Sequence, residues 1–209
     1  MTVATAFSET LRTWSAPDDD QSRLRDAYRA FAGQGEAAAR RDGGPEHLTA
    51  SCFVLSEDLA QVLLCYHRKG RFWVQLGGHV EPVDASLPEA ALREAREESG
   101  LDDVRLVTTA PADLNRHELA SAFGACRAHW DVGYVALASP RDRVVVSDES
   151  EDVRWFDVAA LPDDTPDSLP ARVAYAVGRA RSAQAGRSAG SLRTSQPPAS
   201  RCPTRRPSD

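Results

Sequence analysis

Long apolar runs are missing from this 209-residue chain, and no stretch approaches the roughly 20 residues that a membrane-spanning helix needs. The N-terminus has no basic region followed by an apolar run, so no signal peptide is expected. Cysteine is scarce. Cys52, Cys65, Cys126 and Cys202 show neither CxxC nor any other zinc spacing, and are read as free thiols of a reducing cytoplasm. A positive balance is absent too, and the formal net charge of −6 disfavours nucleic acid as the main partner. No internal repeat is present. What remains is an ordinary soluble composition, 42% hydrophobic and 27% charged. The length suits one domain of about 140 residues with extensions.

The chain is organised around Gly77 to Leu101, GGHVEPVDASLPEAALREAREESGL. Glu94, Glu97 and Glu98 sit on a run of strong helix formers and spread over roughly 100° of one helix face. As structure alone this is poor, because like charges at i, i+4 repel and a helix C-terminus prefers cations. A divalent cation reverses the balance, since converging hard oxygen ligands are what Mg²⁺ takes. The boundaries are legible. Ser86 and Glu89 fit a capping box, Pro88 suits a first turn, and Gly100 suits a left-handed cap. Ala90, Ala91 and Ala95 make a small-residue face for close packing on a sheet. A strand near 74–76, a glycine loop and a helix over about 87–99 are expected.

This stretch resembles the signature box of the Nudix hydrolases: G, five residues, E, seven residues, then R-E-U-x-E-E-x-G-U, with U bulky and apolar. Arg93-Glu94-Ala95-Arg96-Glu97-Glu98-Ser99-Gly100-Leu101 matches the back half, with Ala95 small for its position. The front half departs: Asp84 stands where the pattern has Glu, and one extra residue precedes Arg93. The resemblance implies an α/β (α+β) fold, an α/β/α sandwich around a mixed β-sheet. It also implies hydrolysis of the pyrophosphate linkage of a nucleoside diphosphate derivative. By similarity Glu94, Glu97 and Glu98 hold Mg²⁺ (Mn²⁺ as an alternative), a carbonyl of Gly77 or Gly78 is a further ligand, and Arg93 orients a carboxylate. The chemistry is consistent with those residues: metal ions neutralise the anhydride oxygens and acidify a water whose proton a nearby Glu takes.

The remaining segments are read as follows. Residues 1–44 form a helical extension, with Phe7, Leu11 and Trp14 in one amphipathic stripe and Leu24, Tyr28 and Phe31 in another. Packing against the sheet is favoured for this pair over a lid or dimer element. Residues 45–184 form the hydrolase domain and open with strands and a hairpin turning at HRKG. Arg68, in that turn, is a candidate for steering an anionic substrate, with a solvated turn as the default. His79 follows the glycines; packing against the helix is favoured over approach to the metal. Val104 to Ala110 is expected as a strand, and 111–128 as a long loop whose Arg116 and His117 are candidates for lining a pocket.

Residues 129–138 alternate as a strand with His129, Asp131 and Gly133 on one face. A structural His129–Asp131 hydrogen bond is favoured, and nucleotide or metal contact is the alternative. The acidic run at 147–152 precedes a Trp-containing strand, and the same resemblance makes Glu149 the first choice and Glu151 the second for a base or further metal ligand. A helix over 168–183 closes the domain. The Arg/Ser/Pro-rich tail, 185–209, is expected to be disordered. The full reading is a cytoplasmic Mg²⁺-dependent pyrophosphohydrolase acting on a small-molecule nucleotide derivative, without a membrane partner and with homodimerisation left open. A catalytically inactive nucleotide-binding sensor is the alternative.

Overall fold

The computed structural model describes residues 1–119, 126–147 and 150–194. Its centre is β1 (Glu46–Leu55), a strand buried along nearly its whole length. On one side β1 pairs in parallel with β6 (Ala128–Leu137), in register from Glu46 opposite Ala128 to Leu55 opposite Leu137. On the other it pairs antiparallel with β3 (Phe72–His79) and, at its end, with β2 (Gln61–His67). β7 (Ser150–Asp157) extends the sheet beyond β2. β4 (Arg105–Leu106) and β5 (Asp113–Glu118) both lie along the outer edge of β6. Among the described residues this is one seven-stranded mixed sheet with four α-helices.

The period-2 alternation of β1 sorts its side chains into two cores. Leu48, Ala50, Cys52 and Val54 pack with α3 (Leu87–Ser99), α1 (Val3–Thr13) and α2 (Asp19–Ala32). Phe53 and Leu55 pack on the opposite face with Leu169, Val173, Ala176 and Ala180 of α4 (Leu169–Thr194). The result is the expected α/β/α sandwich. The helix pair α1–α2 is fastened to the domain by side chains that reach the backbone of other elements. Trp14 Nε1 donates to Pro111 O at 2.8 Å, Tyr28 Oη donates to Asp131 O at 2.9 Å, and the Gln21 amide bonds both the N–H and C=O of Leu114. Among the described residues no helix is long and apolar enough to cross a membrane.

Four expectations change. Gly77 and Gly78 lie within β3, opposite Ser51 and Ala50, and not in a loop. The segment expected as one long loop contains β5, whose polar DLNRHE carries few of the apolar residues by which strands are recognised. The expected strand over 104–110 shrinks to Arg105–Leu106. Finally, α4 continues to Thr194, past 183 and into the segment expected as tail, because no proline interrupts the chain between Pro170 and Pro197. Residues 195–209 lie outside the described residues.

Candidate active site

Helix α3 is built as its ends require. Ser86 Oγ accepts from Glu89 N–H, the Glu89 carboxylate accepts from Ala85 N–H at 3.2 Å, and Gly100 closes the helix at φ +66°. Ala90, Ala91 and Ala95 are fully buried, which lets the helix lie close over β1 and β3. The glycines complete the fit. A Cβ on Gly77 would stand 2.6 Å from Ala50 O, and one on Gly78 would stand 2.6 Å from Glu94 Oε1. Only a strand end without side chains leaves room for that carboxylate.

Around this contact the acids gather. Glu98 is buried, accepts from Gly77 N–H at 2.8 Å and lies 3.9 Å from Cys65 Sγ. Burial and the Glu98 charge push the Cys65 thiol far up, so it is a neutral donor and no nucleophile. Arg93 forks onto Asp84 through Nε (3.0 Å) and Nη2 (2.9 Å). Its Nη1 donates to Glu94 at 3.1 Å and Glu97 at 2.8 Å, and Nη2 also donates to His79 O at 3.0 Å. Its hydrogen bonds to the Asp84 carboxylate above all hold the guanidinium far above its ordinary value, so it is permanently charged. Asp84, one methylene short of the family's Glu, still reaches the fork and accepts from Glu81 N–H at 2.8 Å as well. Glu97 is the outlying member, its side chain 59% exposed.

The other candidates fall in three places. At the β2–β3 turn, Arg68 Nη2 donates to Ser150 O at 3.5 Å. Glu151, the second choice for a base, pairs with Arg71 at 3.2 Å on the exposed hairpin, away from the cluster. Glu149 lies outside the described residues.

His79 corrects its expectation: its carbonyl faces Arg93, but its ring turns to the opposite face of the sheet and packs against His47 and His129. Among the described residues His129 and Asp131, two apart on β6, make no hydrogen bond to each other. Asp131 accordingly takes its bonds from elsewhere, namely Thr49 Oγ1 (2.8 Å), Ser51 Oγ (2.6 Å) and Arg172 Nη2 (2.7 Å). This replaces the expected His129–Asp131 hydrogen bond. Arg116 and His117 belong to β5: Arg116 pairs with Glu46 at 3.2 Å, and His117 packs on His129.

Arg172, missed by the sequence reading, also binds Asp113 at 2.5 Å, and all three charged groups are buried. Burial raises the Asp113 carboxyl despite Arg172; for Asp131 burial is outweighed by Arg172, His117 and the Ser51 hydroxyl, and its carboxyl is held low. Gly133 makes space for the pair, since a Cβ there would overlap Asp113 Oδ1. The signal was faint: a lone arginine in an otherwise apolar helix face.

The NUDIX domain family model matches residues 45–176, more than half of the chain. No curated protein matches it. A NUDIX-family hydrolase from Clostridium perfringens is similar in structure, with 24% identity over 63% of this chain and 96% of that one, at TM-score 0.53. So is the Escherichia coli dihydroneopterin triphosphate pyrophosphohydrolase, with 18% identity over 63% and 95%, at TM-score 0.51. An Ap4A hydrolase of Caenorhabditis elegans, solved as a binary complex, shares 16% identity over 66% and 98%, at TM-score 0.52. At these identities the likeness is one of fold.

Proposed function

The chain belongs to the NUDIX domain family, and from that premise we propose that it is a Mg²⁺-dependent hydrolase of the pyrophosphate linkage in a nucleoside diphosphate derivative. The observation that carries this reading is the placement of Glu94 against Gly78 and of Glu98 on Gly77 N–H at the end of β3, with Arg93 tying Glu97 to Glu94. The donor set suits a hard divalent cation: it is all oxygen, it is anionic beyond the charge of Arg93, and any Cβ on Gly78 would fill its cradle. Glu94, Glu97 and Glu98, with the Gly78 carbonyl, would hold Mg²⁺ or, as the alternative, Mn²⁺. When bound, the ion neutralises anhydride oxygens and lowers the pKa of a water.

The chain's own groups do the rest. Gly77 N–H fixes the direction of Glu98. Arg93, anchored on Asp84, keeps Glu94 and Glu97 from swinging apart; it is a positioning residue and does not touch substrate. Glu97, the exposed acid, accepts the proton of the attacking water, with Glu149 the other residue assigned to that role. Arg68, at the hairpin, is assigned to the substrate side, whereas His79 serves the site only through the carbonyl that accepts from Arg93. His129 and Asp131 are engaged behind the site and are assigned to its support.

The test is a panel of nucleotide diphosphate derivatives incubated with Mg²⁺, with released phosphate or nucleotide measured. Turnover that EDTA abolishes is expected. Tight binding of a nucleotide with no turnover of any panel member would overturn the reading in favour of a sensor.

A further inference from the structure

The chain holds five histidines, and four of them meet on the sheet face opposite the carboxylate cluster. His117 of β5, His129 of β6 and His47 of β1 occupy directly paired positions on three neighbouring strands, and His79 of β3 stands diagonally beside His47. Ring centroids are 5.4 Å apart for His117–His129, 5.0 Å for His129–His47, 5.0 Å for His47–His79 and 5.2 Å for His79–His129. Cys126, two residues before β6, brings its Sγ to 3.8 Å from both ring nitrogens of His47. One donor atom each from His47, Cys126 and His129 lies within 4.8 Å of the other two.

We infer that His47, Cys126 and His129 form a binding site for a zinc-class divalent ion, separate from the carboxylate cluster and of different chemistry. Two imidazoles and a thiolate are the borderline-soft donors that zinc selects, whereas Mg²⁺ takes oxygen. Tetrahedral zinc with bonds of about 2.0–2.3 Å needs ligand atoms roughly 3.5 Å apart. The Cys126–His47 pair is already near that spacing, and small side-chain rotations close the remainder.

The surroundings fit ligation. His47 is itself buried, so its imidazole meets few waters that would compete with a metal. His79 and His117 flank the three donors and offer the fourth position. Cys52 and Cys65 do not compete, since both are buried in the core on the α3 face; the Cys126 thiol, itself raised by burial, would release its proton to the solvent on binding.

The test uses the untagged full-length chain, stripped with a chelator, desalted and titrated with Co²⁺ in the presence of excess Mg²⁺. One Co²⁺ per chain is expected, with a thiolate-to-cobalt charge-transfer band in the near ultraviolet and the visible bands of a tetrahedral ion. Zn²⁺ should displace it stoichiometrically. Cys126→Ser, close to isosteric, should abolish the charge-transfer band and weaken Zn²⁺ binding by at least about tenfold. His129→Gln should weaken binding as well, and Glu97→Gln should leave band and stoichiometry unchanged. The inference is overturned if the native chain shows no such band, if the band survives Cys126→Ser, or if it is Glu97→Gln that removes the ion. None of these readouts depends on turnover, so they stand or fall independently of the proposed hydrolase activity.

Discussion

Two arginines of this protein gather carboxylates, and they do so to opposite ends. Arg172 is buried with Asp113 and Asp131 on the α4 face, where Thr49 and Ser51 supply further donors to Asp131. Arg93 lies on the α3 face among Asp84, Glu94 and Glu97, with the buried Glu98 alongside. The first group is sealed and ties α4 to β5 and β6. The second has more acid than its one guanidinium offsets and keeps one member in water. Similar ingredients thus become a structural clasp when dry and a candidate cation site when half open, because desolvation decides whether an unmatched charge is tolerable.

The largest expected effect tests the dry side. Arg172→Met strands two buried carboxylates and should cost about 3–5 kcal/mol of stability, read as a shifted midpoint in urea denaturation. A loss below about 1 kcal/mol, the range of exposed ion pairs, would show that the clasp is not what holds α4 to the sheet. The open side should answer differently. Glu97→Gln should lower kcat by about 100-fold or more, equivalent to roughly 2.7 kcal/mol of barrier. Its melting temperature should hardly move, since the side chain is exposed. Stability loss without activity loss would reverse the assignment of the two clusters.

A finer comparison lies inside the clasp. Asp131 accepts from Thr49, Ser51 and Arg172, so Asp131→Asn turns an amide N–H₂ toward groups that are donors already. The Asp113 carboxylate is bonded to Arg172 and is raised by burial, so neutralising it relieves part of the burial penalty. Asp131→Asn should therefore cost about 2–3 kcal/mol and Asp113→Asn about 1 kcal/mol, measured by the same denaturation. Equal costs would mean that the two acids share the arginine evenly.

Legibility followed sequence distance. Helix α3, its caps and its acid face lie within one short stretch, so propensity, capping chemistry and period 3.6 all point the same way there. The clasp was not legible, because Asp113, Asp131 and Arg172 are 18 and 41 residues apart along the chain and meet only through β5–β6 pairing and the docking of α4. The imidazole row was hidden likewise: its members come from four strands, and only the Cys126-x-x-His129 pair is local, which is half of a zinc ligand set. The glycines were seen but set in a loop, since their need for space arises from Glu94 arriving on another element.

The smallest effect concerns the one departure from the family box. Asp84 is shorter than the Glu it replaces, and the loop before α3 is longer by a residue. In the structure these changes offset one another: the carboxylate is nearly buried, meets Arg93 through both oxygens and accepts from Glu81 N–H. Restoring the family residue alone, Asp84→Glu, adds a methylene to a filled space and should push the carboxylate past the fork. A penalty of about 1 kcal/mol is expected, typical of modest overpacking. With it should come a fall of less than about tenfold in kcat/KM, because Arg93 would still reach Glu94 and Glu97. Deleting Val83, which is exposed in that loop, in the Asp84→Glu background should recover much of the loss. If the deletion makes matters worse, loop length and acid length are independent, and the arginine's grip on the carboxylate cluster is set by α3 alone.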